Sequence, residues 1–171
     1  MAKKSVYKVG SYVVYPTHGV GKITAIETQN IGEIELQVFV IAFDKDKMTL
    51  RVPVHRAEAA GLRPVSGGDD IQKAIVTLKG RARVSRGMWS RRAQEYEAKI
   101  NSGNIVSIAE VVRDLHRNVE QAERSYSERM IYESAFGRLA RELAASEALE
   151  HKAAEEKLLQ VLKVQKKKVA A

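Results

Sequence analysis

The chain has no cysteine among its 171 residues, and this absence excludes disulfide bridges and thiolate metal sites. Its apolar residues occur in short runs, none of which approaches the roughly 18 consecutive residues of a membrane-spanning helix. The basic start, residues 1–4, leads into a strand-like run and not into an apolar signal segment. We therefore expect a cytoplasmic protein that does not span a membrane.

Catalytic and cofactor-binding motifs are also missing. The histidines lack metal-ligand spacing; they are His18, His55, His116 and His151. The segment G-V-G-K at 19–22 lacks the first glycine of a phosphate loop, and isoleucine follows its lysine. No G-x-S-x-G nucleophile elbow occurs. We predict that the protein is not an enzyme and uses no metal or cofactor.

Positive charge is the main compositional feature. The net charge is +8 and the pI is about 9.7. Between residues 79 and 99, seven basic residues oppose two acidic ones, so this stretch carries most of the excess. A polyanionic partner is indicated, either nucleic acid or an anionic membrane surface. A basic protein without such a partner is the alternative.

The first third of the chain has the period-two pattern of β-strands, with β-branched and aromatic runs separated by turn residues. In the run 48–54, apolar residues alternate with Thr49 and Arg51, so these two side chains point away from the core. About five short strands in such a small domain favour a closed SH3-like barrel, because closure protects the sheet edges. We assign this barrel to residues 1–66.

The pattern breaks between residues 55 and 68, where glycine and proline are frequent, and we place the domain boundary there. Apolar residues then recur with helical spacing and predict a compact all-α domain of about five helices over residues 69–168. The fold class is therefore α+β with two domains.

Helix start signals accompany these stripes. Asp69 and Asp70 are predicted to cap the first helix, and Ser125 with Glu128 to begin the fourth. The third helix is capped by Asn104, or by Ser107 in a capping box with Glu110. The fifth helix is expected to begin near Ser146, with Leu149 and Ala153 on its apolar stripe.

Trp89 is the only tryptophan, and it lies at the predicted start of the second helix. Its spacing to Tyr96 and Ile100 permits a role in the helical core. Arginines at positions 86, 91 and 92 favour contact with DNA instead, since guanidinium groups neutralise phosphates while an indole can press between bases. The residues alone leave both interpretations open.

Several short segments match a known family in the same order. They are K-V-G at 8–10, V-V-Y-P at 13–16, H-G at 18–19, A-I-E-T at 25–28, R-V-P at 51–53, W-S-R-R at 89–92 and A-E-V-V-R-D-L at 109–115. The chain thus resembles the CarD family of bacterial transcription regulators over residues 6–165. Its length is similar to that of the short CarD/CdnL type.

This resemblance implies a Tudor-like N-terminal domain that docks on the RNA polymerase β subunit, and a helical domain that touches promoter DNA. Trp89 matches the family tryptophan that wedges into the minor groove at the upstream edge of the transcription bubble. The assigned DNA-binding residues are Trp89, Arg83, Arg86, Arg91 and Arg92. Arg51 matches the family's polymerase-facing arginine, and the assigned polymerase contacts are Arg51, Thr49, Gln29 and Ile31. We expect a monomer that binds DNA with low sequence specificity and does not associate with a membrane.

Two other functions remain as alternatives. A nucleoid-type protein would bind duplex DNA tightly without polymerase, with a steep dependence on salt. A helical adaptor between proteins would use the apolar stripes of the last two helices, and DNA would be irrelevant to it.

Overall fold

The computed structural model describes residues 7–83, 87–116 and 125–170. Its contacts divide the chain into two compact units, Met1–Val65 and Ser66–Ala171, called here the β unit and the helical unit. Within the described residues the first contains five strands and the second five α-helices. The predicted α+β class is confirmed.

The β unit is one antiparallel sheet. Its strands are β1 (Tyr12–Tyr15), β2 (Gly19–Ile31), β3 (Ile34–Phe43), β4 (Met48–Pro53) and β5 (Arg63–Pro64). They lie side by side in the order β4-β3-β2-β1-β5. Phe39, Ile41 and Phe43 form the centre of a core on one face of this sheet. Gly21 allows the close packing there, because a Cβ at this position would lie 2.6 Å from Cγ2 of Ile41.

The predicted closure into a barrel is wrong. In the part of the chain that the structure describes, β4 pairs only with β3 and β5 pairs only with β1, so the sheet stays open. A single 3₁₀ turn, Val54–Arg56, ends β4, and β5 is only two residues long. Each edge strand also ends in a proline, Pro53 or Pro64, which lacks the N–H that an added strand would need. The edges are thus protected by shortness and proline, not by closure.

The helical unit contains α1 (Gly68–Lys79), α2 (Trp89–Asn101), α3 (Ile105–His116), α4 (Tyr126–Glu147) and α5 (His151–Ala170). The apolar stripe of α3 is buried most completely, with Val111, Val112 and Leu115 inaccessible to solvent. Leu139 and Leu143 of α4 and Leu158 of α5 pack into the same cluster. This core holds the first turns of α2 and α4 in place, where the candidate site lies.

The helix starts agree in part with the sequence signals. Ser125 caps α4 as predicted, since its Oγ accepts a hydrogen bond from the Glu128 N–H. Asn104 caps α3, because its Oδ1 accepts from the N–H groups of residues 106 and 107. Ser107 is therefore inside α3, and its predicted capping box is wrong. The prediction for α1 is also wrong: Gly67 is the N-cap, and Asp69 and Asp70 lie in the first turn.

The boundary between α4 and α5 also differs from the prediction. Helix α4 continues to Glu147 and ends at Ala148, whose φ of 52° is left-handed. Leu149 then lies between the helices and is exposed, and Ala154 rather than Ala153 faces the core. A helix that ends without glycine or proline gives no sequence signal of its end.

Candidate nucleic-acid interface

A buried carboxylate holds the basic segment that connects α1 to α2. The backbone N–H of Arg83 donates to Oδ1 of Asp114 at 2.9 Å, and Nε of Arg113 contacts the same oxygen at 2.9 Å. Asp114 is only 5% exposed, while the side chain of Arg83 extends into solvent. The predicted contact residue Arg86 lies outside the described residues. Asp114 thus fixes where the described part of this segment leaves the helical core.

Sequence reasoning did not assign a role to Asp114. The signal that could have found it is its position, because it is an acid between Val112 and Leu115 on the most apolar stripe of the chain. A buried acid on such a stripe needs compensating donors. The stripe predicts burial, but it does not predict that one of the donors is a backbone N–H 31 residues away.

We expect Asp114→Ala to lower the free energy of unfolding by about 3 kcal/mol, because it leaves the guanidinium of Arg113 buried without this partner. Chemical denaturation followed by tryptophan fluorescence measures the change. Glu110→Ala is the control and should cost less than about 1 kcal/mol, since Glu110 lies on the same helix as Asp114 and forms a partly exposed bridge with Lys99 of α2. Equal losses for both variants would contradict the anchoring role of Asp114.

Trp89 is the first residue of α2 and is partly buried at the rim of the helical core. Its Nε1 donates to Oγ of Ser127 at 3.3 Å, and its ring centroid lies 6.2 Å from that of Tyr96. The preceding residue, Met88, caps the helix with its backbone carbonyl and is 78% exposed. The indole is therefore held in one orientation while part of it remains accessible.

The two arginines after Trp89 have different environments. The guanidinium carbon of Arg92 lies 5.5 Å from the Trp89 ring and 5.9 Å from the Tyr96 ring. Nη2 of Arg92 donates to the Tyr96 hydroxyl at 3.4 Å, and its buried Nε has no hydrogen-bond partner among the described residues. Arg91 is exposed, and its Nε is 4.0 Å from Oε1 of Glu95. Arg92 orients the indole, whereas Arg91 is available to a phosphate.

Helices α2 and α4 run parallel through the helical unit. Trp89 contacts Ser127 at their starts, and Nη1 of Arg138 donates to the Ile100 carbonyl at 3.3 Å, eleven residues later on both helices. Both N-termini are therefore at the same end of the unit, next to the basic segment. The positive ends of two helix dipoles add to the arginine charge and favour an anion there.

The predicted polymerase contacts share one face of the sheet. Val40 pairs with Arg51 on one side and with Ala25 on the other, so these three side chains point the same way. Alternation along the strands adds Thr49, Gln29 and Ile31, and all of these lie opposite the core. We call this side of β2, β3 and β4 the outer face. Nε of Arg51 lies 3.6 Å from Oε2 of Glu27 on the same face.

Besides Ile31, the outer face carries apolar residues that the sequence analysis did not assign to a binding surface. Ile31 and Ile34 are directly paired at the end of the β2–β3 hairpin and are 61% and 63% exposed. Leu36 follows on the same face and is partly buried, whereas Val38 and Val40, which are closer to Arg51, are buried. The strict alternation of isoleucine and leucine with Glu35 and Gln37 was the available signal. The exposed apolar residues of the outer face are thus confined to the end of this hairpin, and such a patch is typical of a surface that binds another protein.

The described ranges contain neither a candidate metal site nor a candidate membrane-spanning helix. No cluster of three or more histidine, cysteine or acidic residues suited to a metal ion occurs there. Across the same residues, every helix is too short or too polar to cross a membrane.

Two family models match the chain. The model "CarD, C-terminal domain" matches residues 73–159, and the model "CarD-like/TRCF RID domain" matches residues 7–66. The chain belongs to the CarD family of transcription factors. It is also 32% identical over 149 residues to the "Putative transcription factor YdeB" of Bacillus subtilis (strain 168), which covers 85% of this chain and 95% of that protein. The resemblance seen in the sequence is confirmed.

The two candidate surfaces of this CarD-family protein fall in separately matched regions. Arg51 and the outer face lie in the region that matches the RID model, a domain that interacts with RNA polymerase. Trp89, Arg91, Arg92 and Asp114 lie in the region that matches the C-terminal model. One chain thus joins a polymerase-interacting domain to a helical domain with a basic, indole-bearing end.

Proposed function

We propose that this transcription regulator binds the RNA polymerase β subunit through its outer face and stabilises the promoter open complex with Trp89. In this proposal the indole wedges into the minor groove at the upstream edge of the bubble and hinders reannealing. The protein acts as a cytoplasmic monomer without catalysis or a cofactor. The observation that carries the proposal is the accessible, oriented indole between Ser127 and Arg92, at the end of the helical unit where two helix N-termini and the basic segment meet.

The indole has the properties that a wedge requires. A wedge must stay rigid while bases unstack around it. The hydrogen bond to Ser127 and the cation–π contact with Arg92 restrict the rotation of Trp89. Unstacking a base step costs a few kcal/mol, and apolar side chains offset this cost at kinked minor-groove sites. Arg91 and Arg83 neutralise neighbouring phosphates without reading sequence.

In this proposal, binding of the outer face to polymerase supplies the affinity that the contact of Trp89 with DNA lacks. Binding of the β unit to polymerase raises the local concentration of the helical unit at the promoter, so that weak DNA contacts suffice. The wedge stabilises the open complex only if it binds distorted DNA better than intact duplex. A difference of about 1.4 kcal/mol shifts that equilibrium tenfold.

A pair of binding measurements tests this function against a nucleoid-type role. The full chain is used to pull down partners from a nuclease-treated lysate, and its binding to linear duplex is titrated with salt. We expect polymerase subunits in the pull-down, and weak duplex binding at physiological salt. Tight, salt-sensitive duplex binding with no polymerase recovered would contradict the proposal.

A further inference from the structure

A second aromatic side chain lies at the start of α4, next to the residue that holds the indole. Tyr126 is the first residue of that helix and is 77% exposed. The following residue, Ser127, accepts the hydrogen bond from Nε1 of Trp89. Tyr126 is therefore the neighbour in sequence of the residue that contacts the indole.

The neighbourhood of these two rings is unusually apolar for an exposed surface. Met130 lies one turn after Tyr126 on the same side of α4 and is 46% exposed. Met88 precedes Trp89 and is more exposed still. Exposed large apolar residues that concentrate at one end of a domain mark a binding surface. The partner must also suit the basic segment beside it, so charge complementarity indicates a nucleic acid.

The side-chain charges near the start of α4 indicate which part of a nucleic acid Tyr126 would contact. Residues 126–133 carry Glu128 and Glu133 against the single cation Arg129. These side chains add no net positive charge around Tyr126, so in the proposed complex the phosphate contacts are made by the arginines near Trp89. An exposed aromatic ring suits the face of a base, and stacking on aromatic side chains is tolerant of sequence.

We propose that Tyr126 is a second DNA contact of this protein and stacks on an unpaired base of the melted strand, beside the step that Trp89 wedges. The inference rests on the proposed function and adds an element to it. Trp89 separates the step, and Tyr126 captures a base that the separation exposes. Helices α2 and α4, which run parallel, hold the two rings at the same end of the unit.

Photocrosslinking of the full chain in a polymerase–promoter open complex tests this proposal. p-Benzoylphenylalanine replaces Tyr126 in one sample, Met88 in a second and the exposed Leu159 of α5 in a third. We expect crosslinks to DNA from positions 126 and 88, and none from position 159. Crosslinks from position 126 to a polymerase subunit, or none at all, overturn the inference.

The sample with the photocrosslinker at position 88 distinguishes a failure of the inference about Tyr126 from a failure of the proposed function. If position 88 crosslinks to DNA and position 126 does not, Tyr126 is excluded while the wedge stands. If neither position reaches DNA, the proposed function fails and the inference fails with it.

Substitutions give a second readout. Tyr126→Ala should shorten the open-complex lifetime about fivefold, within the range that loss of one stacked base produces. Tyr126→Phe keeps the ring and should retain the wild-type lifetime, as should the control Leu159→Ala. An unchanged lifetime for Tyr126→Ala, or an equal loss for Tyr126→Phe, contradicts stacking.

Discussion

Trp89→Ala is expected to shorten the lifetime of the open complex on a weak promoter about tenfold, which corresponds to a loss of about 1.4 kcal/mol of differential binding. The physical reason is that alanine cannot fill a separated base step, so the strands reanneal faster. Binding to polymerase should be unchanged, because Trp89 and the outer face belong to different compact units. Kinetic competition with heparin measures the lifetime.

Two controls accompany this variant. Trp89 is only partly buried, so its removal should lower the free energy of unfolding by about 2 kcal/mol, less than the roughly 3–5 kcal/mol of a buried tryptophan. Trp89→Phe retains a flat ring and should recover much of the lifetime. A loss of stability beyond about 3 kcal/mol, with an unchanged open-complex lifetime, would instead make Trp89 a core anchor.

Arg51→Glu should abolish co-purification with RNA polymerase, with a loss of affinity of about a hundredfold or more. Reversing a charge at the centre of an interface breaks its pairs and introduces repulsion, which costs several kcal/mol. The substitution also places a second carboxylate beside Glu27, which repels it on the outer face. Arg51 is exposed, so the β unit itself should remain folded.

Arg56→Glu is the matched control for this experiment. Arg56 is another exposed arginine of the β unit, in the 3₁₀ turn after β4 and outside the outer face. It undergoes the same change of charge. Equal losses for the two variants would mean that net charge, and not the outer face, governs the binding of polymerase. Unchanged co-purification of Arg51→Glu would remove Arg51 from the interface.

Side-chain orientations, helix starts and helix caps depend on neighbours in sequence, and local patterns predicted several of them. The alternation in β4 placed Arg51 and Thr49 outward, and the structure agrees because side chains alternate along any strand. The serine cap of α4 and the start of α2 at Trp89 were predicted for the same local reasons. Helical spacing could also have separated Arg92 from Arg91, since residues 89, 92 and 96 recur at intervals of three and four.

Features that depend on distant pairing could not be predicted in this way. Closure of a barrel requires that two particular edge strands meet, and no local pattern showed that β5 would be only two residues long. One partner of Asp114 is the backbone N–H of Arg83, from the segment between α1 and α2, and no side-chain pattern encodes that contact. The parallel arrangement of α2 and α4 follows from packing, and it alone brings Ser127 to the indole.

The central claim is that the indole binds separated bases better than intact duplex, and the single tryptophan permits a direct measurement. Fluorescence of the full chain, excited at a wavelength that the six tyrosines do not absorb, reports on Trp89 alone. It is titrated with a fork-junction DNA that carries an unpaired segment and with a fully paired duplex of the same length. The account predicts strong, saturable quenching by the fork junction, with an apparent affinity about tenfold above that for the duplex. Identical titrations with the two DNAs, or emission that neither DNA changes, would contradict it.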